Sequence, residues 1–91
     1  MPVQTSIKWR DFLKTIEYFA DLKFGKYSII NKPGSGRRIE LFKDDKDITP
    51  CEAWVVHEDT KSKVVWSKDL KKACLHLDVS VKEFTKKAER I

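Results

Sequence analysis

The residues best placed to do chemistry here are a glycine turn and a few scattered cations and histidines. The turn is Lys32-Pro33-Gly34-Ser35-Gly36-Arg37-Arg38, set between two strand-like runs. Glycine leaves no side chain to hold a ligand away from the backbone. Lysine and arginine bring charge, and arginine grips phosphate through two parallel hydrogen bonds. Such a tip suits close approach to phosphate, although an ordinary solvated hairpin tip has the same chemistry. The histidines are His57 and His76, the side chains whose charge changes near neutral pH. His57 stands beside Glu58 in a strand-like run. His76 shares a helical face with Lys68 and Lys72, which makes it the better acid–base candidate if phosphate lies close. Solvated or packed histidines would look the same. No Ser-His-Asp order, P-loop or zinc-ligand spacing accompanies them. That is thin material for catalysis.

The charge balance is more informative. Nineteen lysines and arginines against fourteen acids give +5, which favours a polyanionic partner. No basic amphipathic anchor for lipid is present, and no apolar run approaches the roughly 20 residues needed to cross a bilayer. The polar start Met1–Arg10 does not resemble a signal peptide, so a cytoplasmic protein is expected. Cys51 and Cys74 form no metal-binding pair. Cys74 falls on an apolar helical stripe and Cys51 in a loop. Asp44-Asp45-Lys46-Asp47 lacks the glycine and distant glutamate of a calcium loop and reads as a solvated loop. No metal or cofactor is expected.

Ninety-one residues, 41% hydrophobic and 11% aromatic, suit one domain spanning 1–91 with a modest core. Trp9, Phe12, Leu13, Ile16, Phe19 and Ala20 recur at helical spacing, predicting a helix over Ile7–Leu22 with Thr5 or Ser6 as its cap. Tyr18 points away from that stripe. Strands are expected at Lys26–Asn31, Arg38–Lys43, Ala53–Glu58 and Lys63–Trp66, the last two as a pair. Trp54, Val56, Val64 and Trp66 are then core candidates. Ser67 should cap a helix with Leu70, Ala73, Cys74 and Leu77 inward and Lys68, Lys72 and His76 outward, Lys71 at the flank. Ser80 and Glu83 have capping-box spacing, with Val81, Phe84 and Ala88 inward. The expected class is α+β: an antiparallel sheet of three or four strands on an N-terminal and a C-terminal helix, then a short helical tail.

The order of elements resembles that of the HicA family of small toxins, whose fold is similar to a double-stranded-RNA-binding domain. The stretch Lys32-Pro33-Gly34-Ser35-Gly36-Arg37-Arg38-Ile39 resembles the family's Lys-Gly-Ser-His turn and the strand after it. Ser67-Lys68-Asp69-Leu70-Lys71-Lys72 and Leu77-Asp78-Val79-Ser80-Val81-Lys82-Glu83-Phe84 resemble its closing helix and tail. Together they cover about half the chain. The resemblance implies an mRNA-cleaving, metal-independent ribonuclease held by a HicB antitoxin. The family's turn histidine falls at Gly36, which cannot transfer a proton, so the resemblance points to an RNA-related scaffold more than to cleavage.

Binding RNA by shape needs phosphate and 2′-hydroxyl contacts from a helix and a loop. Lys32, Ser35, Arg37 and Arg38 on the tip, with Lys68, Lys71 and Lys72 on the late helix, are the expected contacts. If they share one side, they form a clamp. The competing reading is a protein-interaction module: the valine-rich strands Ala53–Glu58 and Lys63–Trp66 offer an edge to another strand, or a face to a second copy of the chain.

Overall fold

Trp9, Phe12, Ile16, Phe19 and Ala20 fall three or four residues apart and are all buried, which sets the inward face of α1 (Trp9–Lys23). The computed structural model describes residues 4–91. Before α1 comes a strand, β1 (Gln4–Lys8), where the helix was expected to begin two residues earlier. Thr5 and Ser6 therefore lie in β1 rather than capping the helix, and Lys8 occupies the cap with no side-chain bond. Inside α1, buried Thr15 donates to the Asp11 carbonyl at 2.6 Å, so its hydroxyl has a partner.

Three strands follow in antiparallel order: β2 (Lys26–Asn31), β3 (Gly36–Phe42) and β4 (Glu52–His57). The register aligns Ile29 with Ile39 and Trp54, and Tyr27 with Leu41 and Glu52. These rows face the helices. Tyr27 donates to the Glu17 carboxylate at 2.9 Å, tying β2 to α1; that bond pushes its phenol up to about 12. The alternate rows, Ile30–Arg38–Val55 and Ser28–Glu40–Ala53, lie on the other face of the sheet.

The last strand departs from expectation. β5 (Val64–Trp66) pairs with β1, through Lys8↔Val64 and Gln4↔Trp66, and not with β4. The turn before it explains why. Lys63 adopts φ 59° and donates to the Asp59 carbonyl at 2.7 Å, while its own carbonyl accepts from Trp9 N–H at 2.9 Å. The chain thus swings off β4 onto the start of α1. Val65 is consequently buried, while Val64 and Trp66 are half-exposed, the reverse of the expected core pair.

α2 (Ser67–Leu77) begins directly from β5, with Trp66 as an uncapped start; Ser67 is its first helical residue and caps nothing. Leu70, Ala73, Cys74 and Leu77 are buried as expected, and burial pushes the Cys74 thiol up to about 11. Cys51 is exposed, and both cysteines are free. α3 (Val81–Ala88) is capped by Ser80, whose hydroxyl accepts from Glu83 N–H at 3.0 Å. Phe84 and Ala88 face inward. Val81 does not: it is 41% exposed. The result is an α+β layer, with α1 and α2 on one face of the three-stranded sheet and α3 packed on both helices. No described helix is long and apolar enough to cross a membrane.

One glycine holds two connections together. Gly25 donates to the Phe42 carbonyl at 2.9 Å, and a Cβ there would meet backbone atoms of Lys43, Asp44 and Asp45 at 2.8–2.9 Å. Backbone cannot rotate aside as a side chain can. Gly25→Ala should therefore cost about 1–3 kcal/mol of stability, as overpacking does, readable as a lower urea midpoint.

Candidate nucleic-acid interface

The tip between β2 and β3 is closed by Lys32 N–H donating to the Gly36 carbonyl at 3.0 Å, which leaves Pro33, Gly34 and Ser35 as the loop. Gly34 carries the turn at φ +77°, and a Cβ there would meet nothing within 4 Å. The Ser35 carbonyl accepts from Glu58 N–H at 3.0 Å, fixing the loop to the end of β4. The tip is thus bare, open and anchored.

Gly36 pairs with His57 across the strands. A Cβ on Gly36 would lie 3.4 Å from the His57 ring atoms Nδ1 and Cε1, and 3.5 Å from the Lys32 Cβ. An imidazole therefore stands over the glycine, beside a lysine. His57 is otherwise exposed.

Strand alternation separates the arginines that the sequence placed together. Arg38 lies on the uncovered face with Lys32 and His57, and its Nε donates to Glu40 at 3.0 Å. Arg37 turns to the helix side. It donates to the Gly36 carbonyl at 3.0 Å and sits 3.8 Å from the Glu58 carboxylate. Glu58 also lines an open groove of about 310 Å³ with Lys8, Trp9, Arg10 and Lys63. Cations from three distant stretches therefore surround one end of the sheet. Lys8, Arg10 and Lys63 were missed in the sequence, because only the β1–β5 pairing brings them together. The alternation of Thr5 and Ile7 was the one signal of that strand, and a helical start masked it.

Lys68, Lys71 and Lys72 are exposed on α2, which covers the face that Arg38 and His57 turn away from. The expected clamp of tip and late helix is divided by the sheet. His76 is also reassigned. Its ring stacks on buried Trp54 with centroids 4.5 Å apart and planes 4° from parallel, and its Nδ1 lies 3.4 Å from Glu52. Glu52 begins β4 and His57 ends it, so the two histidines stand at opposite ends of the strand. Packing holds His76; His57 is the open imidazole.

The acidic loop spends its carboxylates on itself. Asp44 accepts from Lys46 N–H and Asp47 from Asp44 N–H, both at 3.1 Å. The Lys46 amide bond holds the Asp44 carboxyl below its usual range. Comparison with protein-family models, with curated proteins and with solved structures finds no match for this chain.

Proposed function

We infer that this chain binds RNA through the hairpin end of its three-stranded sheet. The observation that carries this reading is the imidazole of His57 over Gly36, in a row with Lys32 and next to Arg38 on the uncovered face. A bare backbone turn, an anchored loop and a ring of cations are what phosphate and 2′-hydroxyl contacts require. The three antiparallel strands β2-β3-β4, which follow α1 and precede β5 and α2, support the resemblance to the HicA scaffold. On that reading a HicB-like protein is the partner that would cover the RNA-binding surface.

A second reading, cleavage, is favoured by the same imidazole. His57 would take the 2′-hydroxyl proton as that oxygen attacks the adjacent phosphorus. Lys32 and Arg38 would offset charge on the phosphoryl oxygens, and the departing 5′-oxygen would take a proton from water. Residue 36 contributes no side chain, and the His57 ring lies in contact distance of where its Cβ would stand.

The test uses a labelled RNA hairpin in chelator, with the whole chain and with His57→Ala. Wild-type affinity is expected to fall about 10-fold or more between roughly 50 and 200 mM salt. Wild type should release 2′,3′-cyclic phosphate ends, and His57→Ala should bind without cutting. Equal cutting by both removes the second reading alone. Absence of any RNA complex at low salt, beside a salt-insensitive complex with a protein, would transfer the function to the strand edges.

A further inference from the structure

A separate groove of about 320 Å³ runs between α1 and α3, lined by Tyr18, Phe19, Glu83, Lys86, Lys87 and Arg90. It shares no lining residue with the hairpin end. Tyr18 is 41% exposed, propped edge-on by Phe19 with centroids 5.1 Å apart. The Lys87 ammonium rests over the Tyr18 ring, 4.0 Å from its centre. Lys86, in the last turn of α3, and Arg90, in the turn just after it, form no ion pair among the described residues. The helix dipole accounts for cations near the end of α3. It does not account for an exposed aromatic ring set among them.

We propose that this groove holds a nucleotide of single-stranded RNA, its base on Tyr18 and its phosphate between Lys86 and Arg90. Cations that follow the backbone beside a ring that takes a base are how single strands are held without sequence preference. The Lys87–Tyr18 contact is compatible with this. A half-exposed cation over a phenol ring is worth less than a stacked base, so a base displaces Lys87 and frees it for phosphate. Glu83 sets the direction. Its carboxylate sits at the capped start of α3, 3.5 Å from the Ser80 hydroxyl, and repels phosphate from that end. The phosphate therefore sits toward Arg90, and Glu83 is left to accept from a base N–H, which in uracil is N3–H. An acidic peptide would use the cations but would leave the ring idle.

This inference rests on the RNA reading but places a different form of RNA on a different surface, so the two fail separately. The experiment is fluorescence anisotropy of a short labelled oligouridylate, with the whole chain and its variants. Tyr18→Leu should weaken binding about 10-fold, and Tyr18→Phe should keep it, since the ring and not the hydroxyl stacks. Lys86→Ala with Arg90→Ala should reduce the salt slope by roughly 0.7, the value for the one single-strand phosphate they hold. Lys32→Ala with His57→Ala should weaken hairpin RNA more than oligouridylate, the reverse of Tyr18→Leu. Wild-type affinity in Tyr18→Leu, or loss only in the hairpin-end variant, overturns the proposal. So does polyglutamate competing as well as the oligonucleotide. Hairpin RNA bound without oligouridylate removes this groove and spares the hairpin end.

Discussion

Phe84→Ala should lower the stability of this protein by about 3–5 kcal/mol, among the largest losses a single truncation causes. Phe84 is fully buried, and its ring centre lies 5.6 Å from Phe12 and 5.9 Å from Phe19. α3 has only one other buried side chain, Ala88, so this ring is what docks the helix. The resulting cavity is bounded by α1 and cannot collapse without moving a helix that also carries Trp9 and Ile16. A domain of this size has roughly 5–15 kcal/mol in all. The loss should appear as a melting temperature lower by about 15–30 °C. Val81→Ala, one turn earlier on the exposed side, should stay within about 0.5 kcal/mol. Equal effects of the two substitutions would mean that α3 is not seated through its ring.

That contrast also shows what the sequence could and could not carry. Phe84 and Val81 have the same helical spacing, and a stripe drawn through both looks continuous. Only the angle at which α3 meets α1 separates them. The same limit applies to β5. Val64 and Trp66 alternate correctly for a strand, but which parity is buried depends on the partner, and the partner is β1, some sixty residues earlier. Periodicity found α1, β2, α2 and the Ser80 cap because those signals are local. Pairing between ends of the chain leaves no local trace.

The candidate site divides along the same line. The bare tip was legible from Pro33 to Gly36, since turn chemistry is local. The separation of Arg37 from Arg38 follows from strand alternation once β3 is taken to begin at Gly36, two residues earlier than its apolar pattern shows. The positions of the histidines were not legible. His76 sits on a polar helical face, yet it stacks on a tryptophan from β4; His57 looks like a strand residue, yet its ring lies beside a glycine at the hairpin tip. Both facts depend on the register of β4.

The separated arginines make the second large effect specific. Lys32→Ala with Arg38→Ala should lower affinity for an RNA hairpin about 10–100-fold at low salt and reduce the salt slope by roughly 2, about one per phosphate contact. Arg38 is available for this although Glu40 holds it. Its side chain is 37% exposed, and exposed ion pairs contribute about 1 kcal/mol or less. A phosphate can offer two charged acceptors where Glu40 takes one bond, so the exchange is favourable. Arg37→Ala should act differently. Its guanidinium is committed to Glu58 and to the Gly36 carbonyl, so its loss loosens the tip and leaves the slope nearly unchanged. Lys71→Ala with Lys72→Ala, on the helix-covered side, should leave both affinity and slope within about 2-fold of wild type, as neutral surface changes do. Titrations over a range of salt separate these outcomes. If the α2 pair removes as much slope as the hairpin pair, RNA lies across the helices, and the open face with His57 is not where it binds.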